Sequence, residues 1–367
     1  MSKLILSVNK KIQINSVNNS FHIEYETSSK FQNDKVNFEN KDFFILIDGI
    51  ILNKNLLLTE SNKSNWKDYL IESYKSEGNT FHNKLKGSYY GFLFDKKTNK
   101  WIIFTDHISS KPIYYSENES EIIFSNDYAE FINYLKKQNR KITLNAHAAY
   151  LLLTFGNVFE DITITNEIKR LMIGYNAILE NGIVQFEKYY ELKNQPVDIS
   201  EDKAIEEIDK RFRDAVSLAF EKDREYGYKH IAALSGGLDS RMTVCVAHDL
   251  GYTDQLNLTF SKSNYLDETI PKKIADDLKH EWLFKSLDNG NFLMSLDEVT
   301  QITGGNVTYY GIAHGMSLFR YMNFEKLGIL HSGQLAFAIS GLHFSNTDEN
   351  FQGKINGIVN HKKINFK

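Results

Sequence analysis

Short apolar runs alternate with turn residues through the first half of the chain. Phe43-Phe44-Ile45-Leu46-Ile47 leads into Asp48-Gly49 and out through Ile50-Ile51-Leu52, a pattern that predicts a β-hairpin turning at Asp48-Gly49. Asn176 to Leu179, the pair Asn181-Gly182 and Ile183 to Phe186 predict a second hairpin. Tyr89 to Phe94, Trp101 to Thr105, Ile113 to Tyr115 and Glu121 to Ser125 read as further strands, and Asn65 to Ser76 as a helix. Residues 1–192 are therefore expected to form an α+β domain dominated by antiparallel strands.

The period changes after Asn194-Gln195-Pro196-Val197-Asp198. Ser200 is placed to cap a long helix whose apolar positions Ile205, Ile208, Phe212, Val216 and Ala219 keep helical spacing. From His230 strands and helices alternate: Ile231 to Leu234, Ser240 to Leu250 closed by Gly251, Leu256 to Phe260, Glu268 to Leu278, and Glu281 to Phe284. Apolar strands alternating with helices imply a parallel sheet covered on both faces. Helical stretches at Phe292 to Ile302 and Ile312 to Phe324 precede a last strand, Gly328 to His331. The second domain is expected to span residues 193–367.

Composition narrows the classes of function. With 42% hydrophobic and 25% charged residues among 367, the chain is globular rather than fibrous or disordered. A formal net charge of -4 gives neither nucleic acid nor an anionic membrane a reason to bind, so a small-molecule or peptide substrate is expected. The single cysteine, Cys245, excludes an internal disulfide and reads as a small buried hydrophobe; with no leader-like apolar run at Met1 to Leu6, a cytoplasmic protein is expected. No stretch is apolar for long enough to span a membrane. His280, His314, His331 and His343 share no ligand spacing with Cys or carboxylate on one helix, so the sequence points to no zinc site. Tyr89-Tyr90, Tyr114-Tyr115 and Tyr309-Tyr310 read as packing residues.

Leu234-Ser235-Gly236-Gly237-Leu238-Asp239-Ser240 carries the chemistry, because it falls at the turn from the first parallel strand into its helix. The carboxyl end of such a strand opens onto a ligand crevice, and the helix start presents unpaired N–H groups and a positive dipole end to an anion. Two glycines let the backbone approach a phosphate, Ser235 and Ser240 add hydroxyls, and Asp239 suits a helix cap or a Mg²⁺ ligand.

This loop resembles the pyrophosphate-binding loop of the ATP pyrophosphatase superfamily, and the chain around it resembles the glutamine-hydrolysing asparagine synthetase family. Upstream, Leu85-Lys86-Gly87-Ser88-Tyr89-Tyr90-Gly91-Phe92 with Asp95, Thr105-Asp106-His107, Lys111-Pro112-Ile113-Tyr114-Tyr115 and Phe124-Ser125-Asn126 follow the order of the family's glutaminase domain. Downstream, Asp267-Glu268, Ile274-Ala275, His280-Glu281 and Leu330-His331-Ser332-Gly333-Gln334 resemble its second βα unit and second phosphate-facing turn. The resemblance implies an α+β N-terminal-nucleophile-hydrolase-like domain followed by an α/β ATP pyrophosphatase domain of the adenine nucleotide α-hydrolase type. It implies ATP and Mg²⁺, a small-molecule carboxylate, aspartate first, and ammonia or another amine, joined through an acyl-adenylate. Ser235, Gly236, Gly237, Asp239 and Ser240 would hold pyrophosphate and metal, Leu234 and Ser261 would frame the adenine, and Ser332-Gly333 would close over the nucleotide.

The departures are specific. Ser2 stands where the family has its nucleophilic cysteine, and Asp48-Gly49-Ile50 where it has the Asn-Gly-Glu that forms the oxyanion hole; a carboxylate there repels a developing oxyanion, so no glutaminase activity is expected. Phe337 and Gly305 stand where the family carries acids, and an apolar ring cannot hold a hard cation. The family's catalytic lysine belongs to a part beyond Lys367; Lys354, Lys362 and Lys363 read as a solvated basic tail. Either the chain is a truncated or degenerate member, or a partner chain completes the site; dimers are common in the family, so the resemblance implies a homodimer as one such assembly. A lactam or peptide amide synthetase with the same fold, and a non-catalytic ATP-binding relative, are the alternative readings.

Overall fold

Apolar residues on both faces of the early strands require a packed layer on each side. The computed structural model supplies those layers and describes residues 2–10, 21–193, 195, 197–308 and 310–334. The chain separates into two units, Met1–Gln195 with Ile302–Val307, and Pro196–Gln301 with Thr308–Lys367.

The first unit runs β1 (Lys3–Asn9), β2 (Phe21–Glu26), β3 (Val36–Glu39), β4 (Phe43–Ile51), α1 (Lys54–Glu60), α2 (Trp66–Glu77), β5 (Gly87–Asp95), β6 (Lys100–Thr105), β7 (Tyr114–Glu117), β8 (Glu121–Ser125), α3 (Tyr128–Lys137), α4 (Ala146–Phe155), β9 (Lys169–Arg170), β10 (Tyr175–Glu180) and β11 (Ile183–Lys188). Two antiparallel sheets result, ordered β2-β1-β8-β7-β9 and β11-β10-β6-β5-β4-β3. Leu4, Leu6, Phe44, Leu46, Phe92, Trp101 and Phe124 form one core drawn from both sheets. Successive strand residues point to opposite faces, so Ile45, Ile47 and Leu93 turn the other way and meet Leu57 of α1 and Trp66 and Leu70 of α2. On the far side Ile123 meets Phe131 and Leu135 of α3. The layers are helix, sheet, sheet, helix, an α+β architecture.

The expected hairpin at Asp48-Gly49 does not form. β4 runs unbroken through these residues, with Asp48 opposite Tyr90 and Gly49 opposite Tyr89 of β5. The chain reverses earlier, where the Asn40 side chain accepts hydrogen bonds from the Asp42 and Phe43 N–H groups and joins β3 to β4. Nine residues of β4 pair with β5, more ladder than a turn at residue 48 would allow. A buried carboxylate survives mid-strand because Tyr25 Oη donates to Asp48 at 2.9 Å while the Lys35 and Lys111 ammonium groups stand 3.8 and 3.6 Å away. Gly49 is there for space: its φ is +148°, and a Cβ would lie 2.2 Å from the Ser88 carbonyl oxygen. The second expected hairpin is observed, with Glu180 opposite Ile183 and positive φ at Asn181 and Gly182, as a two-residue I′ turn demands.

The second unit contains α5 (Glu201–Glu225), β12 (Lys229–Ala233), α6 (Leu238–Asp249), β13 (Gln255–Ser261), α7 (Leu266–Leu278), β14 (Glu281–Ser286), α8 (Leu296–Thr303), α9 (Tyr310–Phe319) and β15 (Leu327–His331). Its strands form the expected parallel sheet, ordered β14-β13-β12-β15. Ser200 caps α5, accepting from the Lys203 N–H at 3.4 Å. Of the predicted apolar stripe only Val216 is buried, packing with Val246, Tyr252 and the unpredicted Phe220; Phe212 and Ala219 are half-buried, and Ile205 and Ile208 are exposed. Helix α9 stops at Phe319, short of the expected Phe324, and the stretch from Phe292 begins as a 3-10 turn before α8. Cys245 is half-buried, because it sits on the flank of α6 beside the buried Val244 and Val246. Strand β13 is less apolar than expected; its buried Gln255 and Thr259 side chains donate to the Tyr252 and Leu234 carbonyls at 2.7 Å each. Among the described residues no helix is long and apolar enough to cross a membrane.

Gly49→Ala should lower unfolding stability by about 3 kcal/mol, read as a fall in the urea midpoint at unchanged slope. Gly78→Ala, where φ is +61° with nothing within 4 Å, should cost only about 1 kcal/mol. An equal effect at both positions would refute the crowding assigned to Gly49. His82, hydrogen-bonded to Asn176 and fully buried, has its imidazole pushed down to about 3 by that burial, against an ordinary 6.5. It stays neutral in the fold while the unfolded chain takes up a proton below pH 6.5, so stability should be lost as pH falls from 6.5 toward 3, by up to about 1.4 kcal/mol per unit. Urea unfolding of His82→Asn at a series of pH values should show a flatter slope over that range.

Candidate functional site

The strand-to-helix turn that stood out in the sequence is built by the ladder around it. Leu234 N–H extends the β12–β13 pairing by donating to Leu258 at 2.9 Å, and its carbonyl accepts from Thr259 Oγ1, which in turn accepts from Trp282 Nε1 at 2.9 Å. The turn then folds onto the first turn of α6. Ser240 Oγ accepts from the Ser235 N–H at 2.9 Å and lies 3.0 Å from Ser235 Oγ, which itself accepts from the Gly237 N–H at 3.2 Å. Two serines five residues apart thus hold the loop closed through one another.

Gly333 follows β15 across the same helix start. A Cβ there would stand 2.3 Å from the Asp239 carbonyl carbon and 2.4 Å from the Ser240 nitrogen, so only glycine lets the two backbones approach this closely. Leu234, Ser235, Asp239, Ser240, Ser332 and Gly333 all line one cavity of 440 Å³ at the carboxyl ends of β12, β13 and β15. Six residues chosen from two distant stretches of sequence therefore meet. The N-terminal turn of α6, whose N-cap Gly237 has no capping side chain, opens there with its positive dipole end, and Asp239 lies in that turn.

Three expected placements differ. Gly236 and Gly237 shape the loop without lining the cavity. Ser261 is absent from the lining; it ends β13 with its hydroxyl donating to the Lys262 carbonyl at 3.0 Å, and Phe260 lines the wall instead. Gly305, at φ +71°, lies in the segment that clusters with the first unit and is not part of the lining. One residue was missed: Asp267, in the first turn of α7, accepts from the Gly236 N–H at 2.7 Å and lines the cavity. The signal was its place at the start of the helix after the adjacent strand. Ser332-Gly333-Gln334 brings no carboxylate to the second turn; Phe337, His343, Lys354, Lys362 and Lys363 lie outside the described residues.

In the first unit, Asn126 Nδ2 donates to the Ser2 carbonyl at 2.9 Å and to its hydroxyl at 3.3 Å, and Tyr90 Oη approaches that hydroxyl at 3.5 Å. Strand pairing places Asp48 directly opposite Tyr90. Burial holds the Lys35 ammonium below its usual value, with Asp48 pulling the other way. The expected oxyanion-hole position is therefore a buried carboxylate bracketed by two lysines.

Residues 37–190 match the family model described as a glutamine amidotransferase domain. The chain is 28% identical over 263 residues to a protein of Methanocaldococcus jannaschii named putative asparagine synthetase [glutamine-hydrolyzing] 2, covering 68% of this chain and 50% of that protein. It spans about half the length of that relative. Among solved structures, the glutamine phosphoribosylpyrophosphate amidotransferase of B. subtilis, complexed with ADP and GMP, matches at 12% identity and a TM-score of 0.31, over 68% of this chain and 58% of that one. A structure described as the allosteric regulatory enzyme of purine biosynthesis matches at 9% identity and a TM-score of 0.33, over 77% and 74%. The chain is thus similar to an asparagine-synthetase-like glutamine amidotransferase, with the amidotransferase-type region at residues 37–190.

Proposed function

We propose that the second unit is an ATP pyrophosphatase-type domain that makes an amide bond: ATP activates a carboxylate, aspartate first among candidates, and ammonia or another amine displaces AMP. The observation that carries this reading is the convergence of Leu234, Ser235, Asp239, Ser240, Ser332 and Gly333 on one cavity at a helix start. In the first step a carboxylate oxygen of the substrate bonds to the α-phosphorus as the bond to pyrophosphate breaks. In the second the amine lone pair bonds to the acyl carbon, AMP departs and a proton is lost. The residues suit the first step. The Ser235 and Ser240 hydroxyls and the α6 amides would hold the β- and γ-phosphates as a leaving group, and Asp239 would hold Mg²⁺, which supplies charge neutralisation on the departing pyrophosphate. Leu234 and Phe260 would flank the base.

Nitrogen would come as free ammonia or an amine, since a carboxylate at Asp48 with Ser2 in the nucleophile's place opposes glutamine hydrolysis. A cytoplasmic setting fits a single, unpaired cysteine. A second reading, an ATP-binding relative without catalysis, rests on Ser332-Gly333-Gln334, a turn that carries no acid, while Asp267, the other carboxylate on the cavity, is engaged by the Gly236 N–H.

Pyrophosphate release from Mg-ATP, followed with aspartate and a panel of other carboxylates and with ammonium against glutamine, tests the proposal. Release should depend on ammonium and a carboxylate but not on glutamine, fall by at least a hundredfold in Asp239→Ala, and stay unchanged in Ser2→Ala. ATP binding without release under any condition would favour the second reading.

A further inference from the structure

Away from that cavity, three buried side chains of ligand type meet from three separate elements. Asp223 lies near the end of α5, His230 at the start of β12 and His331 at the end of β15. Asp223 Oδ2 is 3.0 Å from His230 Nδ1 and 2.8 Å from His331 Nε2, and the three side chains are 0%, 8% and 4% exposed. Their ligand atoms all fall within 4.8 Å of one another. The sequence concealed this set, since 108 residues separate Asp223 from His331 and neither shares a helix with His230.

The backbone is shaped to this carboxylate. Asp223 Oδ1 accepts from the Ile329 N–H at 2.8 Å, and Gly328 has no room for a Cβ, which would stand 2.2 Å from the carboxyl carbon. Asp223 is fully buried, and among the described residues its ion-pair partners are these two histidines, with no lysine or arginine. A buried carboxylate of this kind calls for a compensating cation.

We propose that Asp223, His230 and His331 bind one divalent transition-metal ion of the Zn²⁺ and Ni²⁺ class. Imidazole and carboxylate are the donor set such ions favour. With metal–ligand bonds of about 2.1 Å, the Asp223 oxygen at 2.8–3.0 Å from each histidine nitrogen would subtend roughly 90° with each of them at the ion. On binding, His230 Nδ1 and His331 Nε2 present lone pairs to the ion, and the proton each imidazole keeps moves to its other ring nitrogen. β15 borders the described sheet, so local opening of that strand gives the ion a path inward. Once bound, the ion ties α5 to β12 and β15 immediately before Ser332-Gly333, the turn that packs on the start of α6. The site is structural and independent of the nucleotide reading.

Tag-free, chelator-stripped full-length protein titrated with NiCl₂ and with ZnCl₂ tests the site by calorimetry, elemental analysis, thermal unfolding and imidazole ¹⁵N spectra. One equivalent of at least one ion should bind, the resonances of two imidazoles should move to the metal-bound range, and Tm should rise. Asp223→Asn and His230→Gln should each weaken binding at least tenfold. If these variants fail to fold, the imidazole spectra of the native chain decide the matter. Absence of binding, or binding that leaves those two imidazoles unchanged, would overturn the proposal and leave a hydrogen-bonded clamp. Either result stands apart from whether the protein releases pyrophosphate.

Discussion

Parallel pairing of β12 with β13 on one side and β15 on the other is the constraint on which the candidate site depends. Parallel strands expose their carboxyl ends at one edge, so the loop after β12 and the turn after β15 must emerge side by side. The Leu234 N–H continues the ladder one residue past the strand, which sets the height at which the loop leaves the sheet. Everything beyond follows from that height: Ser240 can reach back to Ser235, and Gly333 can lie against the Asp239 and Ser240 backbone.

The same sheet shows how buried polar groups specify a structure rather than merely burden it. Gln255 and Thr259 on β13 spend their donors on the Tyr252 and Leu234 carbonyls, and Trp282 on β14 donates to Thr259, so neighbouring strands are registered by side chains as well as by the ladder. Asp223 plays the corresponding part for α5, gripping His230, His331 and the Ile329 N–H together. Losing one partner of such a set leaves the others unsatisfied in a medium where that is costly.

In the first unit the equivalent lesson is Asp48. A carboxylate buried at mid-strand needs a hydroxyl and two cations, and Tyr25, Lys35 and Lys111 come from three different places in the chain to supply them. That arrangement sits in β4, within the stretch 37–190 that is similar to a glutamine amidotransferase domain. The layered sandwich needs only apolar strands of the right period, whereas a buried charge needs particular side chains at particular points.

Local pattern was sufficient for the elements themselves. Alternation and turn residues marked the Asn181-Gly182 hairpin, the βα repeat after His230 and the Ser235 to Ser240 loop, because each depends on residues close in sequence: a positive φ, a cap, a helical stripe. Where pairing partners were distant, pattern misled. Asp48-Gly49 has the composition of a turn, yet nine pairings with β5 keep it in a strand, and the apolar Ile205 and Ile208 of α5 are left exposed because only the later part of the helix meets α6. The site divided in the same way. Its serines, glycines and Asp239 were visible as a motif, but Asp267 joined them, Ser261 dropped out, and Asp223, His230 and His331 met only through packing. Sequence determines what each segment can be; the ladder and the burial of charge decide which segments face one another, since those energies exist only once distant parts of the chain are in contact.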